Sequence, residues 1–223
     1  MKFKTLKAAL AACALLASGS TLADFGVGIK AGTLGLGVEG RWNPPVPWFD
    51  IRAGYNRYDY DDDGDYAGNE YGATLAFDNY YLTGNFKFPL SPMRLTVGAY
   101  SNGNELQLES APGSATYNLG GVDVSAATVG TLYGNTSFES TAPYVGIGFD
   151  FEPFGKAGIN LDFGVLWQDE PIVSLGASNF DNLSPAEQAI LGPLLDAESA
   201  DLEDDASDFK AWPVVSLTFV YNF

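Results

Sequence analysis

The sequence contains no histidine, and this absence removes most of the catalytic chemistry that a chain of this size could carry. A Ser-His-Asp triad, a Cys-His pair and a histidine metal site all need an imidazole ring. Carboxylate-only catalysis, as in glycoside hydrolysis, stays formally open, but no pair of acids stands apart from the acidic background. The sequence therefore predicts a protein that is not an enzyme.

Cysteine is limited to Cys13, which lies in the first segment of the chain. Three lysines precede an apolar run over 8–17, and small residues lead to Ala23, a layout typical of a secretory signal peptide. We expect residues 1–23 to be cleaved on export. Residues 24–223 would then form one domain without cysteine, so disulfides cannot stabilise it.

Long hydrophobic runs are also missing, because no segment after residue 23 approaches the roughly 20 apolar residues of a membrane helix. The chain instead alternates. In the last segment, 214–223, every odd position is apolar or aromatic and the final residue is Phe223. A tilted strand of about 9–11 residues crosses a bilayer, so this segment reads as a closing transmembrane strand.

The same alternation recurs along the chain, with Gly, Asn, Thr, Ser, Tyr and charge on the other face. We predict an all-β fold, an eight-stranded antiparallel up-and-down transmembrane β-barrel formed by residues 24–223. A half-buried strand set of a soluble sandwich is the alternative. The eight predicted apolar faces begin at Phe25, Leu34, Phe49, Tyr80, Met93, Val145, Ile159 and Val215.

The connections between these strands alternate between short and long, and this alternation is not expected of a soluble sandwich. Such alternation is typical of barrels with short periplasmic turns and long extracellular loops. The short connections contain proline and are 43–48, 89–92 and 152–155; the long ones are 61–71, 104–135 and 168–208, with a tight Gly32-Thr33 turn in the same series.

Lysine and arginine are few, 11 against 28 acids, and their placement supports the assignment of faces. A cation at mid-membrane on the lipid face costs about 2–4 kcal/mol. Only Arg57 falls on the outward parity, near a strand end where it meets either water or a lipid phosphate. The cations on the lumen parity are Lys30, Arg41, Arg52, Lys87, Arg94, Lys156 and Lys210.

Acids on the lumen parity predict an ion-pair network inside the barrel. A symmetric turn about Pro45-Val46 would set Glu39 opposite Arg52 and Arg41 opposite Asp50. The same reasoning sets Asp150 against Lys156, and Asp162 adds a further lumenal acid. Because side chains roughly fill a barrel of eight strands, we expect a plugged or barely conducting lumen, with a gate of exchanging ion pairs as the alternative.

One predicted loop matches the spacing of a calcium-binding loop. Asp59, Asp61, Asp63, Gly64 and Glu70 fit Asp-x-Asp-x-Asp-Gly-x5-Glu, and Asp65 would supply a backbone carbonyl. The match resembles an EF-hand loop in sequence only, because its flanks read as strands. Calcium binding by these hard oxygen ligands is a hypothesis, and chance spacing in an acidic loop is its alternative.

The last long connection contains a helical signal. Ser184, Pro185 and Glu187 supply an N-cap, a proline at the first helical position and a capping-box acid. Gly192-Pro193 then predicts a break, so we expect a short helical hairpin over the barrel mouth, with its apolar side against the rim. An apolar patch that binds a partner is the alternative.

The formal net charge of −17 is concentrated in the predicted extracellular connections. Such an acidic surface repels nucleic acid and does not bind anionic lipid directly. Divalent cations are its expected partners, and a contact with lipopolysaccharide bridged by such cations follows as a hypothesis.

In architecture and in its Phe-ended last strand, the chain resembles small eight-stranded bacterial outer-membrane barrels of the OmpA-membrane-domain type. The resemblance covers 24–223 and implies an integral outer-membrane location. It implies that the barrel-assembly machinery recognises the last strand, here through Phe219, Tyr221 and Phe223. It also implies a role in envelope structure, adhesion or limited passage of small solutes, which leaves a surface-interaction barrel and a narrow porin-like channel as the two function classes.

Overall fold

A computed structural model of the chain describes residues 24–66, 69–110, 115–138, 140–205 and 210–223, with the backbone alone at 62–66, 69–71, 73, 154 and 205. The predicted signal peptide lies outside these residues. The strands are β1 Asp24–Gly32, β2 Gly35–Asn43, β3 Phe49–Tyr66, β4 Asn69–Lys87, β5 Met93–Asn102, β6 Glu105–Ser110, β7 Thr116–Leu119, β8 Val122–Ser125, β9 Leu132–Ser137, β10 Thr141–Phe154, β11 Ala157–Trp167, β12 Ile172–Ala177 and β13 Ala211–Asn222. The helices among the described residues are α1 Ala126–Val129 and α2 Pro185–Asp205, the second preceded by a 3-10 turn at Phe180–Asn182.

Eight of these strands close into an antiparallel barrel. Going round the wall, the order is β1, β2, β3, β4, β5, β10, β11 and β13, and β13 pairs back onto β1. Each wall strand is therefore next to the wall strand that follows it in the chain, which confirms the predicted up-and-down topology. Closure leaves no open edge in the membrane-spanning part of the sheet.

The two faces of the wall follow the predicted alternation. On β13, Val214, Ser216, Thr218 and Val220 are buried, whereas the odd positions between them are exposed. Because side chains alternate along a strand, this places apolar residues outward and polar or small residues in the lumen. Leu34 is a correction: it lies in the turn after β1 and is buried rather than facing outward.

The long connections extend the sheet rather than forming irregular loops. β3 and β4 pair continuously up to Tyr66 opposite Asn69, so most of the predicted loop 61–71 is a hairpin. Beyond the residues of β4 that pair with β5, β4 pairs with β6 instead. β9 then pairs with β6, and β12 pairs with β9, so the sheet extends past the closed barrel. β7 and β8 form a separate hairpin.

Helix α2 gives this extension a hydrophobic core of its own. Leu191, Leu195 and Leu202 pack into a buried cluster with residues of β6, β7, β9 and β12. The helix also covers the free edge of β12, because Ser199 accepts a hydrogen bond from the amide of Leu175 and Glu203 accepts one from Val173. An uncovered edge strand exposes unpaired backbone groups that promote aggregation, and these two bonds give two of its backbone amides a partner.

The predicted break at Gly192-Pro193 is wrong, since α2 runs unbroken from Pro185 to Asp205. The capping box is present: Ser184 Oγ donates to Glu187 Oε2 at 2.6 Å, and the Ser184 amide donates to the same carboxylate at 2.9 Å. These bonds hold the pKa of Glu187 below its usual value of 4.5. Packing against β12 favours continuing the helix over stopping it at Pro193.

Candidate functional site

The lumen nearest the short turns holds a network of buried and partly buried charges, here called the ion-pair layer: Arg41, Asp50, Arg52, Lys87, Arg94, Asp150 and Asp162. Asp150 is its centre, because Arg41, Arg52 and Arg94 reach its carboxylate at 3.2, 2.8 and 2.9 Å. The seven side chains of the layer come from six wall strands, β2, β3, β4, β5, β10 and β11. The layer therefore ties together parts of the wall that are distant in sequence.

Asp50 and Asp162 complete the layer. Asp50 contacts Arg52 and Lys87, each at 3.0 Å, and accepts a hydrogen bond from Asn85 at 2.8 Å. Asp162 pairs with Arg94. A buried carboxylate that lost these partners would be costly, so the residues fix one another's positions.

The predicted register between β2 and β3 is wrong by two residues. Arg41 faces Arg52, not Asp50, and Glu39 faces Gly54, not Arg52. The connecting turn includes Trp48 with φ 66°, and its centre falls one residue later than the predicted Pro45-Val46 centre. A shift of two keeps every side chain on its face. The long arginines still reach diagonally, so Arg52 lies 3.6 Å from Glu39 and Arg41 lies 3.5 Å from Asp50.

The predicted pair between Asp150 and Lys156 does not form. Asp150 faces Asn160, and an irregularity between Phe151 and Phe154 shifts the pairing beyond it. Lys156 consequently lies in the turn and is exposed to solvent. The partner that Asp150 actually shares with Asp162 is Arg94, whose lumen parity was the only signal in the sequence.

Above the ion-pair layer lies a second layer that sequence reasoning missed, here called the tyrosine layer: Tyr81, Tyr100 and Tyr144. The rings of Tyr81 and Tyr100 stack with centroids 4.9 Å apart, and Tyr144 follows Tyr100 at 5.4 Å. Buried apolar neighbours surround them, and these are Leu34, Phe77, Ala142, Leu166 and Val214.

Glycines make room for these rings. A Cβ at Gly146 or Gly164, which face each other across β10 and β11, would collide with the ring of Tyr144. Gly54 faces Tyr81, and a Cβ at Gly54 would likewise collide with the Tyr81 ring. Large and small residues at facing lumen positions were thus the sequence signal for a filled interior.

Glu39 and Lys30 join the two layers. Tyr81 donates to Glu39 Oε2 at 2.7 Å, and Lys30 donates to the Tyr81 hydroxyl at 3.3 Å. Lys30 also lies over the Tyr81 ring, 4.4 Å from its centroid, and 3.7 Å from Glu39. The predicted lumenal residue Glu39 is therefore part of the network, but through a tyrosine and a lysine as well as Arg52.

Comparison with solved structures supports the architecture. The crystal structure of Acinetobacter baumannii CarO2 matches with a TM-score of 0.59 and 24% identity, over 92% of this chain and 100% of that chain. Acinetobacter baumannii CarO matches with 0.55 and 22%, over 89% and 97%. This is the fold of small eight-stranded outer-membrane β-barrels. Neisserial surface protein A also matches, at 10% identity over 90% of this chain and 92% of that chain, with a TM-score of only 0.27.

No protein-family model matches the barrel, and no curated protein sequence is significantly similar to it. Within the described residues, no helix is long and apolar enough to cross a bilayer. The described side chains also contain no group of three or more acids, cysteines or histidines arranged to hold a metal ion.

The acidic segment of the calcium hypothesis lies on the extended hairpin of β3 and β4. Asp59, Asp61, Asp63 and Asp65 alternate along β3, and Asp65 faces Glu70. An extended strand separates Asp59 from Asp63 by roughly 13 Å, so the backbone does not curl around an ion as an EF-hand loop does. Asp61 accepts a hydrogen bond from Thr74 at 2.8 Å. The side chains of Asp63, Asp65 and Glu70 lie outside the described residues, and calcium binding stays a prediction.

Arg57 lies on the outward face, as predicted, at the level where β2 begins. It is well exposed, and its guanidinium lies 3.9 Å from both Asp59 and Asp78. Lys210 does not lie in the lumen as predicted: it stands directly before β13 with its side chain partly exposed, and its pairing with Glu170 at 2.6 Å raises its pKa. These charges mark the polar boundary above the apolar wall.

The last strand has the outward aromatic face expected of it. Phe219, Tyr221 and Phe223 are all about half exposed or more, and the rings of Tyr221 and Phe223 meet edge to face at 5.5 Å. Pairing of β13 with both β1 and β11 makes this strand the closing element. Its recognition by the assembly machinery stays a prediction.

Proposed function

We propose that residues 24–223 form an integral barrel of the bacterial outer membrane with a structural or surface-interaction role and a closed lumen. The observation that carries this proposal is the filling of the lumen by two successive layers. Tyr100 is 1% exposed and Arg52 is 2% exposed, in the tyrosine layer and the ion-pair layer respectively. The interior of an eight-stranded barrel is just wide enough for side chains to fill, and a barrel filled in this way has no open pore.

The charge of the lumen favours the same role. Lys30 pairs with Glu39, Lys87 with Asp50, and the three arginines share Asp50, Asp150 and Asp162. Cations and anions therefore nearly cancel. A selective pore uses rings of one sign to attract its ion, and a neutralised interior does not provide that field.

The part of the chain that would face the exterior is a packed surface rather than a set of irregular loops. It has its own core under α2, and its exposed charged residues are mainly acidic. Divalent cations, and through them the phosphates of lipopolysaccharide, are the partners that this charge favours, whereas nucleic acid is repelled. The role proposed for this surface is binding, not catalysis, and delivery to the membrane would use the barrel-assembly machinery.

A narrow channel is the second candidate, favoured by a polar vestibule of about 410 Å³ at the short-turn end. It is lined in part by Arg41, Lys87 and Glu152 and ends at the ion-pair layer. Passage would require both layers to rearrange.

Planar-bilayer conductance of the purified barrel separates the two roles. We expect no stable openings from the native protein, and openings from Tyr81→Ala combined with Tyr144→Ala, because these changes empty the tyrosine layer. Tyr80→Ala is the matched control, since Tyr80 is the neighbour of Tyr81 on the lipid face. Stable native openings that Arg52→Gln or Glu39→Gln abolishes would overturn the closed-lumen proposal in favour of the channel. A heat-dependent shift in gel mobility verifies that each variant is a folded barrel.

A further inference from the structure

The barrel wall has a gap above the turn between β1 and β2. Pairing of β2 with β3 reaches only as far as Leu36 opposite Arg57, whereas β3 continues to Tyr66 against β4. The turn itself is tight, with Gly35 at φ 91°. Thr33 closes it against β13 by donating to the Pro213 carbonyl at 2.8 Å and accepting from the Val215 amide at 3.1 Å. β3 and β13 are thus the two sides of the gap, and the turn is its floor.

The gap opens onto an apolar cavity of about 440 Å³, here called the rim notch. Pockets that bind small molecules typically measure about 300–1,000 Å³. Tyr58 and Tyr60 lie on the inward parity of β3 and yet are 47% and 50% exposed, because none of the described strands covers them on this side. The residues that define the notch are Leu36, Tyr58, Tyr60, Leu75, Phe77 and Trp212.

The notch is closed at its inner end. The rings of Phe77 and Trp212 lie 5.5 Å apart, and Leu34 is buried in the cluster that includes Phe77. A molecule in the notch is therefore separated from the lumen. Access is from the side of the barrel or from the exterior.

The lipid-facing wall runs directly into this cavity. Ala31 and Leu36 belong to the outward apolar face, are exposed, and also line the notch. Arg57, the cross-strand partner of Leu36, forms with Asp78 the polar boundary at the same height. A lipid whose head group lies at this boundary has its chains beside Ala31 and Leu36, at the entrance of the notch.

We propose that the rim notch holds one acyl chain of an outer-leaflet lipid, inserted sideways over the turn between β1 and β2. A hydrocarbon chain in the notch buries its apolar lining, and such burial is favourable in proportion to the apolar area removed from water. The continuity of the notch with the lipid-facing wall selects this occupant over a soluble ligand. The inference rests on the membrane placement in the proposed function.

Quenching of a single tryptophan by brominated acyl chains tests the proposal. A variant with Trp42, Trp48 and Trp167 changed to Phe keeps only Trp212, which faces inward at the notch. In nanodiscs of a phosphatidylcholine with brominated chains, we expect Trp212 emission to fall by at least half relative to the unbrominated lipid. Ala31→Phe fills the entrance and should restore most of the emission. Ala53→Phe is its matched control, because Ala53 is an exposed alanine of the same lipid face away from the notch.

Two results would overturn the inference: Trp212 emission that is equal in both lipids, or quenching that Ala31→Phe and Ala53→Phe leave equally strong. The second result would mean that bromine acts through the wall. A variant keeping only the outward Trp42 reports membrane insertion independently. Unquenched Trp42 would count against the membrane placement itself, whereas quenched Trp42 beside unquenched Trp212 would remove this inference alone.

Discussion

Neutralising Asp150 is the change that tests the ion-pair layer most directly. In Asp150→Asn, three buried arginines lose a carboxylate that they share at 3.2, 2.8 and 2.9 Å. Breaking a buried pair by removing one partner costs about 3–5 kcal/mol. Each arginine keeps another acid, since Arg41 and Arg52 retain Asp50 and Arg94 retains Asp162. We therefore expect a loss in the free energy of unfolding near the lower limit, about 3 kcal/mol.

Glu152→Gln is the matched control. Glu152 contacts Arg41 at 3.0 Å, but its side chain is 42% exposed, so its loss should cost less than about 1 kcal/mol. Urea unfolding of the barrel in lipid vesicles, followed by tryptophan fluorescence and extrapolated linearly, measures both values. Equal losses for Asp150→Asn and Glu152→Gln would refute the view that Asp150 centres the layer.

Three further predictions concern the tyrosine layer, the helix and the acidic hairpin. Gly164→Ala should destabilise the barrel by about 1–3 kcal/mol, because the added Cβ would collide with the ring of Tyr144. Gly192→Ala is the control: its Cβ meets open space, so the change should be neutral or stabilising. A Gly164→Ala variant as stable as the native protein would contradict the packing described for the tyrosine layer. Folding lowers the pKa of Glu187, so the stabilisation of α2 by this carboxylate is complete above about pH 4.5 and is lost as the pH falls through the lowered pKa. In that acidic range, amide exchange in the first turn of α2 should accelerate in the native protein. Glu187→Gln should show no such acceleration. Calcium binding by the hairpin predicts titration heat that Asp61→Ala with Asp63→Ala abolishes, and unchanged heat would eliminate this site.

The inward and outward faces could be predicted because they depend only on a repeat of two residues. Every lumenal charge at 39, 41, 50, 52, 150 and 162 lies on the predicted side of the wall. The partners could not be predicted in the same way. An error of two residues at the turn before β3 left all faces correct, yet exchanged Asp50 for Arg52 opposite Arg41.

The long connections show the same division. The capping box at Ser184 could be predicted because it involves only residues close together in the chain, and it forms as predicted. The continuation of α2 through Pro193 was not readable, because contacts with β12 outweigh the local cost of proline. The strands β6, β9 and β12 were likewise missed, since they pair with segments far away in the chain.

The sequence by itself determined a closed barrel of eight strands, its apolar exterior and its polar interior, because hydrophobic periodicity and turn chemistry act over a few residues. The tertiary structure alone decided that Asp150 gathers three arginines, that three tyrosines fill the lumen above them, and that the wall opens at the rim notch. Those features depend on how strands distant in sequence are staggered around the wall, and a stagger is set by packing across the whole barrel.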